Sequence, residues 1–589
     1  MDLLSSRYRK PKGRQTKRRR MLAEISRRYH SQKGNDSIAE ASSSDIQASC
    51  SAISATEGPS CSFSHNYATP EASYILMGTE MWRDLLLQVP CKFCSQCGLQ
   101  LVQHHSLGYS LKLELLCGSC GESFGTTFSS CREDTNSSFE INNKLVSAFL
   151  AIGRGHAALE TFSAVLNMPS MDKKTFSKCL HNLSVKNKEL KVKMLEISRQ
   201  IVRESHMSVD SVNTTDILDI SVSYDGTWQK RGHTSNLGMG IIIDVLTGLV
   251  LDYEILSKYC QDCTVTASDL GAASAEFSIW QSAHQDECEK NFEGSSGSME
   301  MHAAYVMWSR SVKECGMRYT SILSDGDSKT YQFLLENKVY GDITVSKEEC
   351  LNHVAKRLGT ALRNKVKEWR IKKVTLGGRK KGNLTEANIL KLQNYYRKAI
   401  RQNVPDISKM KSAIYASLKH CSSTDAKPSH SHCPEGASSW CFFQRAIAEG
   451  RPIAKHSQMK MFLSQAVVEK IMPVYQRLAS EEILKRCVAG KTQNRNESLH
   501  SCIWRKCPKE VFVSKKRLEI AVFEAVEEYN LGHVRSLQIS TDEAALLENS
   551  FSLTIAQRKD RRRKAQKNRC IPKKRAAKND KAAYAAGAF

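Results

Sequence analysis

The sequence predicts an α/β protein that combines a sheet with a long helical segment, small zinc-binding modules and basic tails. Three observations support this prediction. Strand-like apolar runs end at acidic residues, cysteine and histidine residues recur at the spacing of zinc ligands, and long segments have helical periodicity. At 589 residues the chain is long enough for roughly three or four domains.

The basic residues are concentrated near the two ends of the chain. Residues 1–30 contain 11 Lys and Arg against two acidic residues, and residues 558–581 contain 13 against two. These segments therefore carry +9 and +11 of the net charge of +25. Such arms suit phosphate backbones or nuclear import, for which residues 17–20 (KRRR) are a candidate signal; generic solubilising tails are the alternative. We predict that residues 1–80 and 541–589 are disordered.

The cysteine usage indicates metal sites rather than disulfides. No apolar run approaches the roughly 20 residues of a transmembrane helix, and the basic N-terminus lacks the apolar region of a secretory signal. We therefore expect no membrane association, and cysteines that stay reduced. Many of the 21 cysteines fall in C-x-x-C or Cys/His groupings, which favours zinc.

Residues 81–132 are predicted to form a zinc ribbon. Two C-x-x-C pairs, separated by 19 residues, could close a tetrahedral site, and the residues between them alternate like short strands. The predicted ligands are Cys94, Cys97, Cys117 and Cys120. Cys91 is an alternative ligand.

Residues 140–200 are predicted to be helical. Apolar residues recur there at helical spacing, glycine and proline residues interrupt the pattern, and the last helix is expected over residues 171–190. Short helices separated by such turns suit a helix-turn-helix-like module, with a plain helical connector as the alternative.

The stretch SVSYDGTWQK, residues 221–230, begins the predicted sheet. An apolar, alternating run reaches Asp225 and breaks at Gly226, and two further runs, residues 240–245 and 249–255, flank a turn. This pattern predicts a strand, a loop, a second strand, a tight turn and a third strand. Asp225 would then lie just beyond the centre of the first strand, where a metal ion could reach it.

An inserted zinc knuckle is predicted over residues 258–290. Its cysteine and histidine residues have the spacing and chemistry of a C-C-H-C site with a long loop. The predicted ligands are Cys260, Cys263, His284 and Cys288. The glycine-serine loop that follows, residues 291–300, is interpreted as a structural turn because no Lys follows it as in a phosphate-binding loop.

A second strand-like run, residues 319–325, ends at Asp325. Asp327, two residues further on, is an alternative metal ligand. About 25 residues later Cys350 and His353 begin a helix, and their spacing of three places them on one face.

Residues 366–480 are predicted to form a mainly helical, basic block. Residues 367–381 and 397–411 are candidate nucleic-acid-binding surfaces, with ordinary solvated faces as the alternative. Residues 420–441 contain histidines and cysteines that could hold a further metal ion, with the choice of ligands left open.

Three acidic residues each lie at the end of a predicted element: Asp225, Asp325 and Glu497, the last at the start of a helix. If they meet, they could hold two Mg²⁺ ions about 4 Å apart, because Mg²⁺ prefers hard oxygen ligands. Such a pair of ions can act on a phosphodiester. Spacing alone does not select these three, since the chain has 61 acidic residues.

Several motifs occur in an order that resembles the Mutator-like DDE transposases of animal genomes, over roughly residues 80–589. The motifs are YDGTW (224–228), LDYEILSKYC (251–260), GSSGSME (294–300), SDGDSK (324–329), Cys350 with His353, QNRNES (493–498) and the terminal YAAGAF (584–589).

The resemblance implies a fold in addition to a family. It implies a ribonuclease-H-like mixed sheet flanked by helices, with a catalytic core in residues 215–365 and 481–540. The helical insertion would occupy residues 366–480, between the second aspartate and the glutamate.

The resemblance also implies the active site. Asp225, Asp325 and Glu497 would bind catalytic Mg²⁺ or Mn²⁺, and Cys350 and His353 would correspond to the family's C-x-x-H signature near that site. Zn²⁺ would be structural.

The implied function is that of a nuclear enzyme that binds double-stranded DNA as a homo-oligomer. It would nick DNA at terminal inverted repeats and join the freed 3′-hydroxyl to target DNA. A domesticated, transposase-derived DNA-binding protein without transposition activity is the alternative. An unrelated zinc-rich transcription factor is a third hypothesis, and it predicts DNA binding without metal-dependent cleavage.

Overall fold

The computed structural model describes residues 74–133, 136–208, 217–230, 234–325, 329–459, 461–540 and 550–570. These residues belong to one compact unit, Ala68–Phe589. The candidate import signal, Asp327 and the ends of both predicted tails lie outside the described ranges.

The N-terminal module contains a helix followed by a small antiparallel sheet. Helix α1 (Thr79–Leu86) precedes three strands paired in the order β1-β2-β3. Their bounds are β1 (Leu99–Leu107), β2 (Ser110–Cys117) and β3 (Ser123–Phe128). A two-stranded ribbon of β4 (Arg132–Glu133) and β5 (Asn136–Phe139) follows.

Three helices connect this module to the central sheet: α2 (Glu140–Ala151), α3 (His156–Leu166) and α4 (Lys173–Met207). The predicted end of the last helix at residue 190 is wrong, because α4 continues for 35 residues in total. Asp172 caps its start by accepting hydrogen bonds from the backbone N–H groups of Lys174 and Thr175. The apolar stripe that extends it, including Met194 and Val202, is fully buried against the central sheet, and this burial stabilises the additional turns.

The central sheet has five strands: β6 (Leu218–Trp228), β7 (Leu237–Asp244), β8 (Val250–Ser257), β9 (Met317–Ser324) and β10 (Ser346–Glu349). Their spatial order is β10-β9-β6-β7-β8. Strands β6, β7 and β8 form an antiparallel meander, whereas β9 pairs in parallel with β6 and β10 in parallel with β9. The predicted α/β class with a mixed sheet is therefore confirmed.

The first strand is longer than its sequence suggests. The predicted break at Gly226 is wrong, because β6 continues to Trp228 and Gly226 pairs with Gly240 of the next strand. The tight turn was predicted correctly: Gly248 has φ +82 and Thr247 donates its backbone N–H to the Asp244 carboxylate at 2.6 Å.

Helices occupy the segments between the strands, and two of them carry residues of the predicted knuckle. Their bounds are α5 (Gln261–Leu270), α6 (Ala275–His284) and α7 (Met299–Cys315) before β9, and α8 (Lys329–Glu336) before β10. The side chains of α7, with Trp308 fully buried, form one core with β6 and β9.

The helical insertion follows β10 and has its own hydrophobic core. It consists of α9 (Leu351–Ile371), α10 (Glu386–Asn403), α11 (Ile407–Ser422), α12 (Phe442–Ala448), α13 (Gln465–Leu478) and α14 (Glu481–Lys485). Fully buried Leu358, Leu392, Ile414 and Ile471 bring four of these helices together.

The chain then returns to the sheet through α15 (Asn494–Lys506), α16 (Lys515–Asn530) and α17 (His533–Ser540). Strand β7 is buried at all eight positions. Met239, Ile241 and Ile243 share a core with α4, α15 and α16, whereas Ile242 belongs to the core on the other face. Because helices cover both faces of β7, its sequence is apolar at consecutive positions instead of alternating.

Part of the C-terminal tail is a helix, so the prediction of disorder is wrong for α18 (Phe551–Cys570). Asp560 accepts hydrogen bonds of 3.0 Å from the backbone N–H groups of His533 and Val534 at the start of α17. Arg563 donates to the backbone carbonyl of Tyr529 near the end of α16 at 3.0 Å. The negative charge of Asp560 thus lies at a helix N-terminus and the positive charge of Arg563 at a helix C-terminus, so both interact favourably with the helix dipoles. Among the described residues, none of the helices is both long and apolar enough to cross a bilayer.

Candidate active site and metal clusters

Helix α15 is held against strand β6 by side-chain hydrogen bonds. The Ser223 hydroxyl donates to the Asn496 side-chain carbonyl at 2.7 Å, and the Gln493 amide donates to the backbone carbonyl of Tyr224 at 2.8 Å. About two helical turns after Asn496, the Trp504 indole donates to the Thr227 hydroxyl at 3.0 Å. These contacts place the start of α15, and therefore Glu497, beside the part of β6 that carries Asp225.

The second aspartate reaches the same edge because β9 ends immediately before it. The backbone N–H of Cys350 donates to the carbonyl of Ser324 at 3.2 Å, so α9 starts beside Asp325. His353, in the first turn of α9, lies between two carboxylates: its Nδ1 is 3.9 Å from Asp325 Oδ2 and its Nε2 is 3.4 Å from Glu497 Oε1. The structure thus brings Asp325, His353 and Glu497 together.

Cys350 has a different position from His353. It is buried, and its Sγ accepts a hydrogen bond of 3.4 Å from the backbone N–H of Gln493. The backbone N–H of Leu351 donates to the carbonyl of Lys491 at 3.1 Å. Cys350 therefore supports the segment that precedes Glu497, while His353 faces the carboxylates.

Sequence reasoning missed a fourth carboxylate, Glu300, in the first turn of α7. A Cβ atom on Gly226 would lie 2.8 Å from Glu300 Cγ and 2.9 Å from its Cδ, so this glycine leaves the space that Glu300 fills. The glycine-serine loop before it is a turn, as interpreted, but its end was not recognised as part of the site. The available signal was an acidic residue in a helix's first turn, together with a glycine directly after Asp225.

The electrostatics show that the carboxylates form one cluster. Burial raises the pKa of Asp225 to about 8, and the negative charges of Glu300, Asp325 and Glu497 add to the increase. Burial acts in the same direction on Glu497, but the hydrogen bond from His353 and the charge of Lys356 outweigh it and lower its pKa. Lys356 Nζ lies 3.4 Å from Glu497 Oε1.

A second histidine lies behind the first aspartate and was also missed. His500 Nδ1 is 3.6 Å from Asp225 Oδ2, on the next turn of α15 after Glu497. Burial lowers the pKa of His500 to about 4, with a further contribution from the positive charge of Lys509, so its imidazole is neutral near pH 7. Its Nε2 has no hydrogen-bond partner among the described residues.

This acidic cluster suits a divalent cation. Its members supply hard oxygen ligands, which Mg²⁺ and Mn²⁺ prefer. Burial is the main cause of the raised pKa of Asp225, and repulsion by the neighbouring carboxylates adds to it; a bound cation would offset that repulsion.

A cleft of about 1060 Å³ extends from Asp325 and His353 along helices α9 and α13. Four of its lining residues are basic: Lys356, Arg357, Lys365 and Arg477. Two are acidic, Asp325 and Glu368. The cleft is thus positive on balance and continuous with the acidic cluster.

The first cysteine cluster differs from the predicted ribbon ligands in one position. The sulfur atoms of Cys91, Cys94, Cys117 and Cys120 all lie within 4.8 Å of one another. Cys97 is exposed and its Sγ donates to the carbonyl of Gln88 at 3.7 Å, so the choice of Cys97 is wrong for this group.

The local backbone explains the exchange. Cys97 is paired with Pro90 in a β-bridge, and its side chain faces the Gln88 carbonyl instead of the other cysteines. Cys91 begins the turn, is 2% exposed, and its Sγ accepts a hydrogen bond from the backbone N–H of Phe93 at 3.3 Å. Both pairs read C-x-x-C, so spacing cannot distinguish them.

The second cluster contains all four residues predicted for the knuckle, Cys260, Cys263, His284 and Cys288, with their ligand atoms within 4.8 Å. Cys260 Sγ lies 3.3 Å from His284 Nε2, and Cys263 Sγ lies 3.5 Å from Cys288 Sγ. The Trp280 ring stacks on the His284 ring with 4.5 Å between the ring centroids. A third group, within the open prediction for residues 420–441, lies in the helical insertion.

The structure combines a mixed sheet, a cluster of carboxylates at the ends of its elements, and separate cysteine and histidine clusters. This combination defines the class of protein. The family model of the Mutator-like transposases matches residues 75–441, which is more than half of the chain. The chain belongs to this family, as the sequence motifs suggested. No curated protein matches the chain. Membership implies nucleic-acid-cleaving transposase activity, DNA as the partner and use of a divalent metal.

The family match includes Asp225, Asp325 and the Cys350 and His353 pair, and it ends before Glu497. The position of Glu497 therefore depends on the contacts between α15 and β6 described above.

Proposed function

We propose that this chain is a DDE-type DNA transposase in which Asp225, Asp325 and Glu497 hold catalytic Mg²⁺ or Mn²⁺. It cleaves DNA at terminal inverted repeats and joins the freed 3′-hydroxyl to target DNA. The observation that carries the proposal is the convergence of the three carboxylates, with His353 within 4 Å of two of them. The strand order, a three-strand antiparallel meander extended by two parallel strands, supports a ribonuclease-H-like sheet.

A pair of divalent cations, when bound, would activate a water or 3′-hydroxyl and stabilise the leaving oxygen of a phosphodiester. The chain's own residues hold the three carboxylates at fixed positions on rigid elements. Glu300 adds negative charge beside Asp225 and is a candidate fourth ligand. Neutral His500 lies 3.6 Å from Asp225 Oδ2 and adds no positive charge beside it.

His353 and Lys356 complete the centre from one face of α9. Their contacts with Glu497, both at 3.4 Å, hold that carboxylate in its ionised form. Cys350 acts through the backbone, since it supports the Gln493 peptide. We propose that His353 and Cys350 are positioning residues.

The basic cleft provides a path for the substrate. Lys365 on α9 and Arg477 on α13 line the cleft that begins at Asp325, and such side chains neutralise DNA phosphates. We propose that DNA enters the active site along this cleft and that the chain acts in the nucleus as a homo-oligomer.

The primary test is metal-dependent nicking of DNA that carries the gene's own terminal repeats. We expect Asp225→Asn, Asp325→Asn and Glu497→Gln each to reduce cleavage by roughly 10³-fold or more, which corresponds to about 4 kcal/mol of transition-state stabilisation. Asp342→Asn, at an exposed aspartate outside the cluster, is the matched control and should cleave like wild type.

DNA binding by the same variants separates the alternatives. Retained binding with loss of cleavage in the three variants, but not in wild type, supports the transposase. Binding without cleavage by any protein, wild type included, would favour the domesticated DNA-binding alternative. Excision of a marker between the terminal repeats in cells extends the same comparison to the complete reaction.

The path of the DNA has its own test. We expect the double variant Lys365→Glu/Arg477→Glu to lose DNA affinity by at least 10-fold and to show a shallower dependence of affinity on salt, because two phosphate contacts are removed. Lys313→Glu/Lys338→Glu makes the same change of charge at exposed lysines that do not line the cleft. Equal losses in both double variants would show that only net charge matters.

A further inference from the structure

We propose that the helical insertion holds a third zinc ion, bound by His420, His430, Cys433 and Cys441. All four side chains are buried, and their ligand atoms lie within 4.8 Å of one another. This site is separate from the carboxylate centre, and the inference does not depend on the proposed catalytic function.

The spacing of the ligand atoms fits a tetrahedral ion. Bond lengths of about 2.0 Å to nitrogen and 2.3 Å to sulfur require ligand atoms about 3.3–3.8 Å apart. Cys441 Sγ lies 3.4 Å from His430 Nδ1, and Cys433 Sγ lies 3.8 Å from the same nitrogen. Cys433 Sγ lies 3.7 Å from His420 Nδ1. Two thiolates and two imidazoles are a common ligand set for structural zinc.

A buried hydrogen-bond chain favours one nitrogen of His430 as the metal ligand. His456 Nδ1 lies 2.6 Å from the Asp425 carboxylate and therefore donates its proton there. In neutral His456, Nε2 is then an acceptor, and it lies 2.8 Å from His430 Nε2. The Ser423 hydroxyl lies 2.9 Å from His456 Nε2 and 3.0 Å from His430 Nε2, and it can donate to the first and accept from the second. With this arrangement His430 Nε2–H is a donor. The remaining nitrogen, His430 Nδ1, consequently presents a lone pair to the two cysteine sulfurs, as a metal ligand does.

The loop that carries these side chains needs a source of order such as a bound metal ion. Between the end of α11 and the start of α12, residues 423–441 contain neither helix nor strand. Loops of this length without regular structure are uncommon in compact domains and need another source of order. The four ligands join the last turn of α11, at His420, to Cys441, the N-cap of α12. The ion would thus close this loop onto the core of the insertion.

The direct test counts zinc bound to the purified full chain. We expect Cys441→Ser and His430→Gln each to lose one zinc per chain relative to wild type. The matched control is Cys421→Ser, because Cys421 is equally buried and directly follows His420 but lies outside the group. An unchanged zinc content in both ligand variants would overturn the proposal.

A measurement on the wild-type chain guards against misfolding of the variants. In the chain loaded with ¹¹³Cd, the chemical shift distinguishes cadmium bound by two, three or four thiolates. We expect a resonance from a site with two thiolates and two imidazoles, in addition to those of the other clusters. The absence of that resonance from a fully loaded chain would overturn the proposal.

The outer hydrogen bonds have a separate test. Asp425→Asn keeps all four ligands but weakens the acceptor of the His456 proton. We expect one zinc per chain to become roughly 10- to 100-fold easier to remove by a competing chelator, with no loss of stoichiometry in excess zinc. Unchanged affinity would contradict the role assigned to the Asp425, His456 and His430 chain.

Discussion

The Ser223 hydroxyl donates a 2.7 Å hydrogen bond to the Asn496 side chain across 273 residues of sequence. Both residues are buried. Asn496 directly precedes Glu497 in the chain, and Ser223 lies two residues before Asp225. The bond therefore connects the strand and the helix that carry Asp225 and Glu497, two of the three carboxylates that we propose as metal ligands.

This contact predicts that Asn496→Ala impairs cleavage without altering any carboxylate. We expect the cleavage rate at saturating DNA to fall by about 10- to 100-fold, because a shift of about 1 Å in Glu497 would misplace a carboxylate that we propose as a metal ligand. Stability should fall by about 1–3 kcal/mol, since the Ser223 hydroxyl is left buried without its acceptor. Thermal unfolding and single-turnover cleavage measure the two effects. In the double variant with Ser223→Ala the losses should be less than additive; full additivity would argue against a direct coupling.

The contact between Gly226 and Glu300 predicts an effect of a single methyl group. In Gly226→Ala the new Cβ would lie 2.8 Å from Glu300 Cγ, so we expect a loss of about 1–3 kcal/mol in stability and a displaced Glu300. The loss should be smaller in a Glu300→Ala background, as measured by the shift in Tm. Gly78→Ala is the control, because no heavy atom lies within 4 Å of its Cβ position. Equal losses in both backgrounds would contradict the steric explanation.

The first cysteine cluster predicts which of two neighbouring cysteines binds zinc. We expect Cys91→Ser to lose one zinc per chain and Cys97→Ser to retain all of it, because Cys97 Sγ faces the Gln88 carbonyl instead of the other sulfurs. Metal analysis of the two purified variants decides between them. The opposite pattern would restore the ligand set that the sequence first suggested.

A buried carboxylate in α16 predicts how stability depends on pH. Burial raises the pKa of Glu527 to about 8, and the charges of Glu524 and Glu528 add to the increase. Since the unfolded pKa is about 4.3, the folded chain binds the extra proton between these values. The stabilisation from protonated Glu527 is complete below the unfolded pKa and is lost as the pH rises through about 8.

Glu527→Gln removes this titration. We expect the free energy of unfolding of the variant, relative to wild type, to increase as the pH rises from 5 to 9. The increase should exceed about 1.4 kcal/mol, the equivalent of one pKa unit. The difference in Tm between variant and wild type at each pH measures the gain. Glu519→Gln on the same helix, at a carboxylate paired with Lys515, is the control and should show no such gain. A difference that does not change with pH would contradict the prediction.

Local patterns predicted much of the fold. The apolar runs around Asp225 and before Asp325 indicated β6 to β9, because alternation and burial are properties of neighbouring residues. The bounds were less accurate where tertiary contacts override local signals. Helix α4 extends to Met207 because the sheet buries its apolar stripe, and α18 is ordered where Asp560 and Arg563 meet neighbouring helix ends.

The candidate site was predictable in part. The motif resemblance selected the three carboxylates and the C-x-x-H pair, whereas spacing alone offered many acidic triplets. Glu300 and His500 were missed because each comes near Asp225 only through the packing of α7 and α15 on β6.

The sequence by itself determined the residue types: hard carboxylates for a divalent cation, paired cysteines for zinc, and basic arms at both ends. Only the tertiary structure decided which members of each type meet. It placed Cys91 rather than Cys97 in the first cluster and selected His420, His430, Cys433 and Cys441 in the third. The physical reason is that ligand spacing in sequence constrains only neighbouring residues, while the convergence of distant side chains depends on how whole helices and strands pack.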